Sequence, residues 1–292
     1  MNSNDSKKDK LMLCSAMVVF GTIGIFRRYI DLPSGMLAMS RGFIGTLYLI
    51  IFVMVTKKGI SKENIKKNAL PLVLSGIFIG FNWILLFEAY NYTSVAVATL
   101  CYYMAPIIVI VVSPIILKEK LSGKKIICVG VAVTGMVLVS GVVEMEGFKF
   151  SEIKGVLLGL GAAMLYATVI LINKKIRDIG PYDKTIVQLA SAGGVMLVYT
   201  LLAENVAKED FTLIAVIMLL VVGILHTGVC YAWYFGSMKN ISAQTVALFS
   251  YIDPILAIIL SAVILGESLG LLEALGAVLV LGAAAVAERE KN

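Results

Sequence analysis

Residues 94–121 read SVAVATLCYYMAPIIVIVVSPIILKEKL, and residues 242–269 read SAQTVALFSYIDPILAIILSAVILGESL. Offset by 148 residues, the two stretches align without a gap: Ser94 falls on Ser242, Tyr103 on Tyr251, Pro106 on Pro254, Ser113 on Ser261, Glu119 on Glu267 and Leu121 on Leu269. Carried back to Phe87, which falls on Phe235, the match holds 12 identities in 35 pairs. Chance in so apolar a chain gives roughly one match in ten. The chain is an internal duplication, and both copies are hydrophobic enough for lipid. In that setting duplication is most often the mark of a transporter built from two repeats.

The remainder of the chain agrees. Of 292 residues 59% are hydrophobic and only 15% charged, too apolar for a soluble domain. A spanning helix needs about 20 mainly apolar residues. Ten such runs can be drawn, at 11–26, 35–56, 70–90, 94–117, 126–143, 155–172, 186–202, 213–235, 243–265 and 271–286. A barrel needs alternation of apolar and polar residues, which these continuous runs lack. The fold class expected is an all-α polytopic membrane protein of ten transmembrane helices arranged as two inverted five-helix repeats, residues 11–140 and 155–287.

The net charge of +6 is a matter of topology. With the amino terminus in the cytoplasm, 19 Lys and Arg residues fall on the inner side, 5 on the outer side, and Arg41 lies within the second run. The positive-inside rule then places both termini in the cytoplasm, in a cell (inner) membrane, and no nucleic-acid partner is implied. Cys14, Cys101, Cys128 and Cys230 all lie in apolar runs without metal-ligand spacing and read as small buried residues. The Lys-rich start followed by an apolar run has no small-x-small cleavage site before Arg27, so it is read as an uncleaved first helix.

Five runs per half is an odd number, so the second half enters the membrane upside down. The charges fit: Lys118-Glu119-Lys120-Leu121 sits on the basic side, while Gly266-Glu267-Ser268-Leu269 has lost every lysine. Inverted symmetry gives a site at the midplane two nearly equivalent routes of access.

A run ending in Pro, then a dozen apolar residues, Glu and Leu, once per half, resembles the EamA-type ten-span members of the drug/metabolite transporter superfamily. Phe20-Gly21 stands where that family often has Trp-Gly, and Arg41 where it often has arginine; Leu165-Tyr166-Ala167 and Gln188 take those places in the second half. The resemblance covers essentially the whole chain. It implies an inner-membrane carrier, usually exporting, with a cavity between the repeats, and it leaves the substrate open.

Ionisable groups at membrane depth are functional candidates. Asp253 lies mid-run and directly precedes Pro254, which cannot donate to the carbonyl of Ser250. It is read either as a cavity acid that binds a proton or cation, or as a protonated acid bonded to a neighbouring helix. Arg41 cannot shed its charge; it holds a substrate carboxylate, reaches the outer interface, or pairs with Glu88. Asn82 and Trp83 fall at mid-depth, with Tyr102 and Tyr166 on other runs. Phe249 is four residues from Asp253, and an aromatic beside an acid suits an ammonium. These positions are equally readable as packing residues. His226, the one histidine, is a proton relay or a hydrogen-bonded core residue. Pro106, Pro254, Glu119 and Glu267 are read as structural, the two glutamates lying near the N-terminal end of the helix that follows each.

Enzyme readings find no support. One histidine cannot make His-Glu-x-x-His, a single deep aspartate cannot make a carboxyl dyad, and no phosphate-binding Gly-x-x-x-x-Gly-Lys loop is present. No cofactor and no metal is expected. The partners expected are a small-molecule substrate and the bilayer; the oligomeric state has no signal. The reading is a secondary transporter, with amino acids or related amphipathic metabolites as exported substrates, a proton as the coupling ion, and hydrophobic amines as the alternative cargo.

Overall fold

The computed structural model describes residues 3–57, 59–139, 142–144, 153–204, 211–265 and 270–288. Every regular element among them is helical. The first half holds α1 (Ser3–Gly21), α2 (Ile23–Arg27), α3 (Ser34–Val55), α4 (Lys62–Lys67), α5 (Ala69–Ala89), α6 (Val95–Tyr102), α7 (Ala105–Leu117) and α8 (Gly123–Val139). The second half holds α9 (Ile153–Lys175), α10 (Pro181–Ala203), α11 (Leu213–Val221), a π-helical stretch Val222–Val229, α12 (Cys230–Ser237), α13 (Ala243–Phe249), α14 (Ile252–Leu265) and α15 (Leu271–Glu288).

Among the described residues, eight segments are long and apolar enough to cross a membrane: Ser6–Arg27, Ser34–Val55, Ala69–Ala89, Val97–Leu117, Ile153–Lys175, Pro181–Ala203, Leu213–Ser237 and Ala243–Ile264. The other two runs give shorter helices, α8 with 17 residues and α15 with 18. Their ends differ from the expected ones because Lys124 and Lys125 open α8, while α15 continues past its apolar stretch to Glu288. Leucines and isoleucines are exposed along the outside of the bundle, with Leu202 at 82% and Ile115 at 80%. A soluble monomer rarely carries such a continuous apolar surface, and lipid is the solvent that suits it.

Helix neighbours are set by small residues that let backbones approach. The Gly76-x-x-x-Gly80 face of α5 lies on α10: a Cβ at Gly76 would stand 2.4 Å from the Gln188 carbonyl oxygen. α8 and α15 pack along each other, and a Cβ at Gly276 would stand 2.5 Å from the Gly135 carbonyl oxygen. α5 also packs on α9, and α3 on α10. The main core joins residues of both halves, among them Trp83, Tyr234, Phe235 and Tyr251.

Two runs are broken at matching places. α6 stops at Tyr102 and α7 resumes at Ala105; α13 stops at Phe249 and α14 resumes at Ile252. Proline follows each break, Pro106 in the first turn of α7 and Pro254 in that of α14. It lacks the N–H that would continue the ladder, so the chain closes each break with a tighter i→i+3 bond: Met104 N–H to Cys101 O at 3.1 Å, and Tyr251 N–H to Leu248 O at 3.2 Å. The starts match as well. Ser94 caps α6 by accepting from Val97 N–H, and Ser242 caps α13 by accepting from Thr245 N–H. Tyr251 Oη donates to the Tyr103 carbonyl at 3.0 Å, so two residues 148 apart meet directly across the halves.

Candidate functional site

The break before α14 puts Asp253 at the second position of a helix, beside a distorted turn. α1 reaches this point because residue 21 is glycine: a Cβ there would lie 2.8 Å from the Asp253 carbonyl oxygen and 2.9 Å from Leu256 Cβ. Phe20 is carried in beside it. The Asp253 side chain is half-buried and lines a cavity of about 210 Å³ together with Phe20, Arg41, Trp83, Tyr102, Tyr166, Tyr231 and Tyr234. Phe20, Tyr102, Tyr166 and Asp253 also line a smaller adjoining space of about 50 Å³, floored by Pro106 and Ser250. Ligand pockets for drug-sized molecules run to roughly 300–1,000 Å³, so the larger cavity is scaled to a small metabolite.

The walls are aromatic and interlocked. Phe20 meets Tyr231 edge-on at 5.3 Å between ring centroids, and Trp83 meets Tyr231 edge-on at 6.5 Å. Tyr166 stacks on Tyr234 at 6.4 Å and donates to its hydroxyl at 2.7 Å. Tyr102 tilts against Tyr166 at 5.7 Å. Arg41, from α3, stands over the Trp83 ring with its guanidinium carbon 4.8 Å from the centroid, a cation–π contact that orients the charge without neutralising it. Its Nε is buried with no hydrogen-bond acceptor. No ion pair links Arg41 to Asp253 among the described residues, although both line the same cavity.

Other residues singled out from the sequence stand elsewhere. Asn82 is 2% exposed and donates to the Ala162 carbonyl at 2.6 Å, tying α5 to α9; adjacent helix positions point about 100° apart, and Trp83 takes the cavity side. Phe249 is buried and lines neither space, because the turn at Ser250–Tyr251 interrupts the helix and removes the i, i+4 relation with Asp253. His226 is 1% exposed within the π-helical stretch, its Nε2 2.9 Å from Thr22 Oγ1 and its ring edge-on to Phe26. Glu88 accepts from the Tyr199 hydroxyl at 2.7 Å rather than pairing with Arg41. Glu119 serves a different helix from the one that follows it: its carboxylate accepts from Ala243 N–H at 2.7 Å and Gln244 N–H at 3.3 Å, holding the start of α13 in the other half. Glu267 lies outside the described residues. Phe20 and Tyr234 are wall residues that hydropathy and motif spacing do not mark. The signal for Tyr234 is its i, i+3 spacing from Tyr231, which puts both on one face.

Among the described residues no group of three or more His, Cys, Asp or Glu is placed to hold a metal. The cavity offers instead one fixed cation, one carboxyl and aromatic walls, at the depth where two halves meet.

Residues 9–141 and 153–288 each match the EamA-like transporter family. The chain belongs to that family. It is 28% identical over 286 residues to the uncharacterised transporter YxxF of Bacillus subtilis, covering 98% of this chain and 91% of that one. An uncharacterised transporter of Archaeoglobus fulgidus is 23% identical, with 94% of this chain and 93% of the relative covered. The RarD protein of Salmonella typhi is 21% identical, with 91% and 90% covered. A crystal structure superposes with a TM-score of 0.85 at 18% identity, over 97% of this chain and 98% of that one, and so has the same fold. An EamA-like protein with eight long apolar helices is a multi-pass membrane transporter, and it works on a small-molecule substrate in a lipid bilayer.

Proposed function

We propose that this EamA-like carrier exports amino acids or closely related small zwitterionic metabolites, with Asp253 as the site of the coupling proton or cation. The observation that carries the reading is the unpaired arrangement of Arg41 and Asp253 in one aromatic cavity. A zwitterion with a small apolar or aromatic body matches every part of it: carboxylate to Arg41, ammonium to Asp253, body to the rings. A buried guanidinium Nε without an acceptor is costly when empty, and a ligand carboxylate supplies the acceptor. Hydrophobic amines are the second reading, since they need only Asp253 and the rings.

Ligand binding to purified protein tests it. A zwitterionic amino acid bound to the folded state raises the melting temperature by mass action, whereas its decarboxylated amine should raise it less. Equal shifts for both series would favour the amine reading, and no shift for either would remove the cavity from substrate binding.

For the architecture we infer ten spans in two inverted repeats, 11–140 and 155–287, with both termini cytoplasmic and the protein in the cell membrane. Exchanging each run for its mate leaves the neighbour pattern unchanged: α5 against α9 becomes the second-half run ending in α12 against α1, α3 against Val222–Val229 becomes α10 against α5, and α8 against α15 maps onto itself. Such a pattern supports a pseudo-two-fold relation between the halves, and five runs per half, an odd number, argue for an axis in the membrane plane. Tags at both ends should react with an impermeant probe only after the cells are opened; labelling of the N-terminal tag on intact cells would overturn the orientation.

A further inference from the structure

A second cavity, larger than the aromatic one, lies apart from it. A space of about 680 Å³ opens where the α9–α10 connection meets the end of α12, and it shares no lining residue with the Arg41–Asp253 cavity. Its charged lining is Lys174, Arg177, Lys184 and Lys239, against Glu119 and Asp178. Glu119 is already committed to the backbone N–H groups of Ala243 and Gln244. The balance is positive.

Lys184 sets this cavity apart from an ordinary solvated basic face. It is only 6% exposed, and its ammonium makes a single hydrogen bond, to the Asn173 carbonyl at 3.4 Å. Among the described residues, two of its three N–H donors therefore have no protein acceptor. Its neighbour Asp183 accepts from Ser61 N–H, and among the described residues no ion pair joins the two. Lys174 donates to the Met238 carbonyl at 2.7 Å and to the Ile241 carbonyl, with Glu119 and Asp9 as the carboxylates that partly offset its charge. Gly180 and Pro181, also on the wall, open the 23-residue α10, whose N-terminus no side chain caps. That end carries a positive partial charge that favours anions, offset in part by Asp183 in the first turn. An ammonium taken out of water without a counter-ion is strongly unfavourable, and here the buried amine, its neighbouring cations and the helix end surround one space.

We propose that this cavity is a second, anion-binding site that takes a carboxylate or phosphate group, with Lys184 as its inner pole. The group arrives either on a soluble anion or on an anionic lipid headgroup. Ile176, Ile179 and Met238 on the wall accommodate an apolar portion beside the charge.

Full-length protein in nanodiscs of phosphatidylcholine, titrated with phosphate or acetate at fixed ionic strength against chloride, tests this. The melting temperature should rise saturably in the wild type, in Lys184→Arg and in Arg41→Gln. In Lys184→Gln, which keeps a donor for Asn173, the half-saturating concentration should increase at least tenfold. Lys239→Gln, at an exposed position, should weaken it less and guards against a folding defect at Lys184. With phosphatidylglycerol in the disc, a headgroup site is already filled, so the protein is stabilised beforehand and phosphate adds nothing. A soluble-anion site responds to phosphate equally in both lipids. Absence of any phosphate, acetate or phosphatidylglycerol effect overturns the proposal, as does a full effect retained in both Lys184→Gln and Lys239→Gln. Because Arg41 lies in the other cavity, failure here leaves the substrate reading untouched.

Discussion

Asp253→Asn should abolish gradient-driven transport in proteoliposomes while leaving the protein folded and substrate exchange at equal pH measurable. Asparagine has the same shape and removes only the ionisable group, so the α14 turn and the contact of Gly21 with the Asp253 carbonyl are preserved. What disappears is the one acid in a cavity otherwise lined by rings, Ile23, Leu86 and Arg41. Truncating one partner of a buried charge pair costs about 2–5 kcal/mol, so affinity for an ammonium-bearing ligand should fall by roughly 30-fold or more. The pH dependence of transport should flatten in the variant. An Asp253→Asn protein that still accumulates substrate against a gradient, with wild-type pH dependence, removes Asp253 from coupling.

Arg41→Gln should split the ligands by charge. Carboxylate-bearing ligands lose the only cation in the cavity, again about 2–5 kcal/mol for a desolvated contact, whereas their decarboxylated amines should bind unchanged or slightly tighter because a like charge has gone. Lysine should not rescue the loss in full. Its compact ammonium lacks the planar face that Arg41 lays on Trp83 and the forked donors that meet a carboxylate at two points. Binding measured across a matched series of amino acids and amines decides it. Equal weakening of both sets would make Arg41 a structural residue held by Trp83, and the zwitterion reading would lose its support.

Much of the architecture is written locally. Runs of apolar residues about 20 long become helices in lipid because the backbone has no other donor or acceptor there, and the eight long segments fall where those runs lie. The breaks are equally local: a proline N–H is missing whatever surrounds it, so α7 and α14 restart beside Pro106 and Pro254. The matched Ser94 and Ser242 caps follow from the duplicated sequence for the same reason.

Which side chains gather in one place is not local. Asn82 and Trp83 are neighbours in an all-apolar run, and hydropathy cannot rank their faces; packing on α9 draws Asn82 to the Ala162 carbonyl and leaves Trp83 under Arg41. Phe249 looks coupled to Asp253 by helical spacing, yet the same proline-linked break that frees Asp253 turns Phe249 into the core. Glu119 is read from its sequence neighbours as serving the next helix, and it serves α13 instead, 124 residues away. The sequence alone determined the helices, their interruptions and their duplication, because these depend on missing donors and on hydrophobic length. The cavity, with its lone guanidinium and lone carboxyl brought together from α3 and α14, was decided only by the tertiary structure, because it depends on how closely helices from separate halves can approach.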